Sequence, residues 1–555
     1  MAGKSQFRRW ADRLAVESMP GLSSSQLMVN NHDLKPVERR RRLWGTWNFV
    51  GFWVADSFNI NTWMISSSMI TAGLSWWQAW ICIWLGYSIS GVLIVSTGRI
   101  GAVYHIGFPV ANRASFGIWG SLWPVFNRAA MACVWYGLQS YIGGQVVYLM
   151  IRAMSKSWDR NRMPGPFDSG VTSTPEFVSF VIFWLCSLPA LWFPVHKIRH
   201  LFTVKAYLVP PAAIGFLAWA TVRAGGVGPI LRQPSSITGS ELAWEMVRGI
   251  MTSIANFSTL IINDCDFTRF ARKPVDALWS QLFGIPLCFA ITSFIGIIVS
   301  SSSTVIYGES IWNPVHLLGR FLDDGEGGGP RFGVFVIAFA FALAQLGTNI
   351  AANSVSAGSD LTALLPRYIN IRRGGYLCAV IGLVMCPYNF LTSANRFTTY
   401  LSAYSVFLSS IAGVIITDYY FVRRGFLDVG ELYHARRTGT YFYDWGFNFR
   451  AYVAYIAGIL INVVGFAGAV GREVPKAATY LYRLDFFCGL FVSSAVYWLL
   501  CWLFPVAGTS AHWMEVGEAI EESVEEADRG VSDGSQERAE RDGGEAALTE
   551  SKPYK

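Results

Sequence analysis

Apolar residues in this chain fall into long runs instead of alternating or forming narrow amphipathic stripes. Stretches such as 44–72, 75–95 and 332–352 stay mainly apolar over the roughly 20 positions a helix needs to cross a hydrocarbon layer. Runs of this kind recur near 44–72, 77–97, 123–151, 175–193, 201–223 and 244–268, then 277–300, 331–357, 375–392, 397–421, 450–470 and 483–505. The pattern predicts an all-α integral membrane protein of about twelve spans. It divides the chain into an N-terminal tail over 1–43, a transmembrane region over 44–505 and a C-terminal tail over 506–555.

Composition agrees: 52% of residues are hydrophobic and only 15% charged, against roughly 25% charged in ordinary soluble domains. The first apolar run follows forty-odd polar residues, so no short cleavable leader is expected, and the N-terminus is expected to stay in the cytosol. An even number of spans puts both termini on one side. Basic clusters at Arg39, Arg40, Arg41 and Arg42, at His196-Lys197-Ile198-Arg199, at Arg269, Arg272 and Lys273, at Arg367, Arg372 and Arg373, and at Arg423, Arg424, Arg436 and Arg437 predict that this side is the cytosol. Lys156, Arg160 and Arg162 break the rule, partly offset by Asp159 and Asp168. The net charge of +7 is therefore assigned to membrane orientation and not to nucleic acid. The nine cysteines stand singly in or beside apolar runs and read as small core residues.

Residues 1–35 and those from about 515 read as unfolded, with one surface helix over 514–527. Thirteen acidic residues against five basic ones follow Ser510. Lys552 and Lys555 would suit modification by ubiquitin and endocytic sorting machinery.

A polar side chain at lipid depth costs a few kcal/mol, so polar clusters inside apolar runs carry the functional information. The first span contains Ala55-Asp56-Ser57-Phe58-Asn59-Ile60-Asn61-Thr62, which predicts a locally unwound helix exposing main-chain groups. In the third span, Trp135 and Gln139 share a helix face through i,i+4 spacing. An indole can stack on a flat ring while a carboxamide, donor and acceptor at once, pairs with the C=O and N–H edge of a pyrimidinedione. The sixth span is interrupted at Asn256-Phe257-Ser258-Thr259 and again from Asn263 to Asp266. The eighth carries Gly347, Thr348 and Asn353. Intramembrane catalysis would need a His, Glu or Asp cluster at facing depths. None is found among the seven His, and an enzyme is not expected.

Five segments carry a resemblance: the tract Asn31-His32-Asp33-Leu34-Lys35-Pro36, the run from Phe52 to Trp63, that from His196 to Lys205, that from Ala344 to Asn353, and Pro366-Arg367-Tyr368-Ile369-Asn370-Ile371-Arg372-Arg373-Gly374. Over about 31–505 the chain resembles the nucleobase:cation symporter-1 family, within it the fungal uracil permease branch. The resemblance implies a five-plus-five inverted-repeat fold of the leucine-transporter type, with spans 1 and 6 broken and two extra C-terminal helices. It also implies a symporter working by alternating access, importing uracil or, in related branches, allantoin, uridine or thiamine. A receptor or channel on the same fold is the lesser alternative.

By the same resemblance, Trp135 matches the stacking indole, Gln139 and Asn353 match the carboxamides that hold the substrate, and Asn59 falls at a polar position beside it. Phe257 stands where a bacterial hydantoin transporter of the family has a second stacking Trp. Main-chain carbonyls of Ala55 and Phe58, with Ala344, Gly347 and Thr348, match the cation positions. Gly347 replaces a hydroxyl, which leaves a hard cation one oxygen short. A proton is accordingly expected as coupling ion in place of sodium, with Asp56 as carrier and no other cofactor. Asp264, Asp266, Asp360 and Asp418 are expected to pair with Arg269, Arg367 or Arg423.

Overall fold

The computed structural model describes residues 15–16, 23–158, 162–165, 171–193, 195–325 and 327–516, with the side chains of 195–200 and 202 outside the description. Arg160, Asp159, Asp168, Lys552 and Lys555 lie outside the described residues. Each apolar run has its helix. The first span is α1 (Thr46–Ser57) continued by α2 (Ile60–Thr71), and the second is α3 (Trp76–Tyr104). A short α4 (Phe108–Phe116) leads into α5 (Leu122–Met154), α6 (Thr174–Trp192) and α7 (Val195–Arg223). The sixth span is α8 (Gly239–Asn256) with α9 (Ser258–Asn263), and the seventh is α10 (Pro274–Tyr307). After α11 (Pro314–Asp324), the eighth span runs from α12 (Gly328–Thr348) through a π-helical stretch, Asn349–Val355, into α13 (Ser356–Leu364). Then come α14 (Ile371–Val384), α15 (Ala394–Thr417), α16 (Phe449–Ala469) and α17 (Asp485–Leu503).

Eight of these helices, counting the eighth span as one, are long and apolar enough to cross a membrane by length and composition alone. The ninth span stops earlier than hydropathy predicts. Pro387 removes a donor and disfavours helical geometry at Cys386, which adopts φ 55° before a 3-10 turn over Pro387–Leu391.

The distribution of side chains is that of a multi-pass membrane protein. Leu185, Ile214, Phe283, Leu287, Ile291, Phe339, Leu460 and Phe491 face outward, while Ser66, Ser67, Thr97, Ser302 and Ser303 are buried between helices. In water the outward belt would drive aggregation. In lipid it is solvated, and the inner hydroxyls bond across or along helices, as Ser67 does to the Gly296 carbonyl at 3.1 Å. Cys186 departs from the predicted pattern by facing outward, and six of the other cysteines are buried.

The first helix breaks at Phe58-Asn59. Asn59 takes extended dihedrals (φ −139°, ψ 159°), and its side-chain oxygen caps α2 by accepting from the Thr62 N–H at 2.8 Å. The sixth span bends at Phe257, whose N–H turns to the Ile254 carbonyl at 2.9 Å instead of continuing the α pattern. The two interruptions lie five spans apart, in the opening helix of each half of a five-plus-five arrangement. The last two helices, α16 and α17, pack on each other and on α15.

Packing sorts the other helices into two bodies. Spans 1, 2, 6 and 7 associate through α10 against α1, α2 and α3, and through α8 against α3. Spans 3, 4, 8 and 9 associate through α5 against α6, α12, α13 and α14. Within the second body, a Cβ on Gly137 would lie 2.5 Å from the Gly382 carbonyl oxygen, so two bare glycines allow α5 and α14 to touch by their backbones.

Residues 23–37 correct the expectation of an unfolded tail. Leu27, Val29 and Leu34 are buried, and Arg113 donates to the Met28 and Val29 carbonyls at 3.0 and 2.8 Å. At the other tail, Met514, Glu515 and Val516 are not helical, and 517–527 lie outside the described residues. Glu515 accepts two hydrogen bonds from Arg99, at 2.6 and 2.7 Å. Val37 bonds the His105 carbonyl, and Val516 donates to the Tyr104 hydroxyl. Both tails therefore meet the same end of α3, on one side of the bundle.

Gly137→Val should cost about 1–3 kcal/mol by overpacking that crossing. Gly215→Ala, at a position with nothing within 4 Å, should cost nothing measurable. Thermal unfolding of the detergent-extracted protein separates the two outcomes.

Candidate functional site

Between the two bodies lies a cavity enclosing about 580 Å3 of space not filled by atoms, part of it open to the exterior. One wall comes from the interrupted helices and α10: Asp56, Asn59 and Asn61, then Asn256 and Phe257, then Phe289. The facing wall comes from α5 and the eighth span, with Trp135, Gln139, Thr348 and Asn353. Residues far apart in sequence meet here because each break ends a helix halfway through the protein and turns polar groups inward.

Trp135 packs edge-on against Tyr404 with ring centroids 6.2 Å apart, and Phe257 sits edge-on to Phe289 at 4.8 Å and Tyr87 at 5.2 Å. Each aromatic is braced from the side. The Gln139 oxygen accepts from Gln345 Nε2 at 2.6 Å, and Asn353 Nδ2 donates to Asn349 Oδ1 at 2.9 Å. Among the described residues neither Gln139 Nε2 nor Asn353 Oδ1 has a hydrogen-bond partner, and neither atom is sealed from the cavity. The facing wall thus offers one open donor, on Gln139, and one open acceptor, on Asn353.

Asn59 also borders the cavity, but its carboxamide is engaged at the helix break. Its oxygen caps α2, and its nitrogen donates to the Asp56 carbonyl at 2.5 Å. A bridge that sequence reading missed joins the two interruptions: Asn61 Nδ2 donates to Asn256 Oδ1 at 2.8 Å.

Of the positions assigned to a cation, Gly347 and Thr348 lie against a lysine, Lys205. The helical donors of the Ala55 and Phe58 carbonyls would be the N–H groups of Asn59 and Thr62. These bond instead to the Ser57 carbonyl and to Asn59 Oδ1, at 2.9 and 2.8 Å. Across from them, Thr348 Oγ1 accepts from the ammonium of Lys205, at 2.5 Å. Lys205 reaches in from α7 with no solvent exposure. A Cβ on Gly347 would lie 3.2 Å from the Lys205 Cδ, so the missing side chain there makes room for the lysine stem. Ala344 is fully buried on the same helix face. The departure at Gly347 is thus matched by an ammonium, which the sequence reading did not include. A lysine six positions past a basic cluster reads in sequence as part of that cluster.

Asp56 lines the cavity within electrostatic reach of Lys205 and forms no ion pair within 4 Å among the described residues. Of the other acids, Asp418 pairs as expected and three do not. Asp418 pairs with Arg423 at 2.8 Å, but Asp360 pairs with Arg128 at 2.5 Å, on α5 and not in a loop. Arg128 also lies 3.8 Å from Asp266, whose other oxygen accepts from the Phe108 N–H. Arg128 of this cluster also lines the cavity. Asp264 meets no cation: one oxygen accepts from Gln281 at 3.3 Å, and the other, pressed towards Gly98 of α3, has no partner. Among the described residues no cluster of His, Cys, Asp and Glu is arranged to hold a metal ion.

The comparisons with known proteins fit this geometry. Residues 36–489 match the model of a family described as permeases for cytosine/purines, uracil, thiamine and allantoin. The allantoin permease of Saccharomyces cerevisiae is 48% identical over 88% of this chain and 78% of its own length. The uracil permease of the same yeast is 46% identical over 89% and 79%. Among solved structures, the inward-facing conformation of Mhp1 aligns with a TM-score of 0.69 over 88% of this chain and 97% of its own, at 22% identity, and shows the shared fold. A match over this much of the chain, with the fold and the interrupted helices to go with it, makes this protein a member of the family of cytosine/purine, uracil, thiamine and allantoin permeases.

Proposed function

We propose that this permease is a proton-coupled symporter of the plasma membrane, with both tails cytosolic, that imports uracil or a close relative with the same amide edge by alternating access. The observation that carries the reading is the cavity between the two bodies, bordered by the Trp135 and Phe257 rings and by the unpartnered Gln139 Nε2 and Asn353 Oδ1. A flat ring would stack on Trp135, with Phe257 closing the other side. Its C=O would accept from Gln139 and its adjacent N–H would donate to Asn353. Allantoin, uridine and thiamine are the alternatives. Yeast relatives at 48% and 46% identity transport, by name, allantoin and uracil, which supports the class more than the choice within it.

Lys205 supports the choice of a proton as coupling ion. An ammonium already donating to Thr348 occupies the place where a sodium ion would need that oxygen, and hard cations require several such ligands to replace their water. Asp56, half-buried on the cavity wall, is the proposed proton carrier, and substrate and proton would travel inward together as the two bodies rock. Asp266, Asp360 and Arg128 would close the cytosolic exit and part when the site opens inward.

Uptake of radiolabelled uracil by permease-deficient cells expressing the protein, competed by allantoin, uridine and 5-fluorouracil, tests the substrate. Gln139→Ala and Asn353→Ala should each reduce uptake by about 10- to 100-fold at normal surface level, the worth of a lost buried hydrogen bond. Normal uptake by either variant removes that residue from the site. For coupling, uptake should rise with an inward pH gradient and ignore sodium. Asp56→Asn should abolish accumulation against a gradient, whereas Asp264→Asn should retain it. Stimulation by sodium in the wild type would refute the assignment of the proton.

A further inference from the structure

Gln139 and Asn353 present one donor and one acceptor to the cavity, although a carboxamide can turn either end outward. Something must hold Gln139 and Asn353 the right way round. Each is bonded to a second carboxamide that does not line the cavity, and each of those is bonded to a main-chain group whose polarity cannot change.

The first chain of bonds starts at the break in the first span. Ile60 opens α2, so its N–H is one of the donors a helix start leaves without an intrahelical partner. That N–H donates to Gln345 Oε1 at 3.4 Å, which turns Gln345 Nε2 toward Gln139 Oε1 and leaves Gln139 Nε2 as the end facing the cavity. The second chain starts from an acceptor. The Tyr136 carbonyl takes a bond from Asn349 Nδ2 at 3.2 Å, and the Ser140 hydroxyl takes another at 2.9 Å. Asn349 Oδ1 is therefore turned toward Asn353 Nδ2, and Asn353 Oδ1 is left for the cavity. Gln345 and Asn349 are both fully buried, so a reversed amide would set acceptor against acceptor or donor against donor with no water to relieve it.

We infer that Gln345 and Asn349 are positioning residues that set the hydrogen-bond polarity of the site, so that it selects rings carrying a C=O beside an N–H and rejects rings carrying two adjacent donors. This rests on the reading of the cavity as the substrate site. It adds that specificity is written outside the cavity: a donor at a helix break and a carbonyl on α5 are read through two buried amides.

The two relays respond differently to the loss of an amide nitrogen, and the test uses that asymmetry. In Gln345→Glu the carboxylate still accepts from Ile60 but cannot donate, so Gln139 must turn its nitrogen back and show oxygen to the cavity. In Asn349→Asp the carboxylate still accepts from Asn353, whose orientation is kept. Gln345→Met removes the relay without adding charge. The measurement is competition of labelled uracil, allantoin and uridine uptake by 3-aminopyrazole, a neutral ring without a C=O whose 5-amino tautomer sets an amino group beside a ring N–H as a double-donor edge, and by uracil itself, near neutral pH.

Wild type should prefer uracil. Gln345→Glu should cut its advantage over 3-aminopyrazole by about tenfold or more, Gln345→Met should bring the two toward parity, and Asn349→Asp should keep the wild-type ratio at lower total uptake. Ligand-induced thermal shift of the purified variants gives the same ratio where a variant reaches the surface poorly. A wild-type ratio in Gln345→Glu and Gln345→Met, or an equal shift in Asn349→Asp, overturns the inference while leaving the proposed function intact. A wild type that takes up none of the three substrates overturns that reading and this inference with it.

Discussion

A helix interrupted in the middle of a hydrocarbon layer strands main-chain donors and acceptors where no water can reach them, and each such group is costly to leave unmet. Here the break at Phe58-Asn59 releases the N–H of Ile60 and the carbonyls of Ala55 and Phe58 from their helical partners. Most of what surrounds the cavity can be understood as the response. Asn59 caps the new helix start, Gln345 takes the Ile60 N–H, and Asn61 ties the first break to the second through Asn256. The polarity of the site is set by the geometry of a backbone break, which sequence variation among the lining residues alone cannot reverse.

The same constraint explains why the two bodies can meet without a dry, fully bonded seam. In a packed helix pair, polar side chains satisfy one another and the interface closes. Here the bonds of each carboxamide run backward into its own body or around the break, as Asn353 bonds to Asn349 four residues earlier on the same helix. What remains between the bodies includes a pair of unfilled valences and two braced rings. Lys205 extends this logic to charge, because its ammonium comes on a stem from α7 and is met by Thr348 at a place where Gly347 gives it passage. Gly347 and Lys205 are one arrangement spread over two helices.

How much of this could be read in the sequence depended on whether the signal was local. Hydropathy located the spans because crossing a membrane demands some 20 apolar residues in a row. The polar run from Asp56 to Thr62 located the first break within a residue or two, since five polar side chains at that depth have few other uses. The ninth span was overrun because its apolar residues continue past a proline that ends the helix. Partners were illegible where they came from afar: Lys205 to Thr348 spans 143 residues and Arg128 to Asp360 spans 232, and nothing near either acid or hydroxyl announces its counterpart. Residues 23–37 failed for the opposite reason. Their composition is polar on average, yet Leu27, Val29 and Leu34 happen to be the side chains that dock.

Substrate choice within the family is the point at which geometry and resemblance separate. Uracil, allantoin and uridine all carry a C=O beside an N–H, so under the proposed function the carboxamide pair would accept any of them. Discrimination must then come from the walls, where Phe257, Leu260 and Phe289 bound the cavity with apolar surface. A single methylene misfitted against such a wall is worth roughly 1–3 kcal/mol, enough to divide permeases that share half their residues. The polar pair would therefore define the class of ligand, and the apolar walls its member. Exchanging Phe257, Leu260 and Phe289 for their counterparts in relatives should change which ring is carried without disturbing the relays behind Gln139 and Asn353, because none of these three side chains takes part in them.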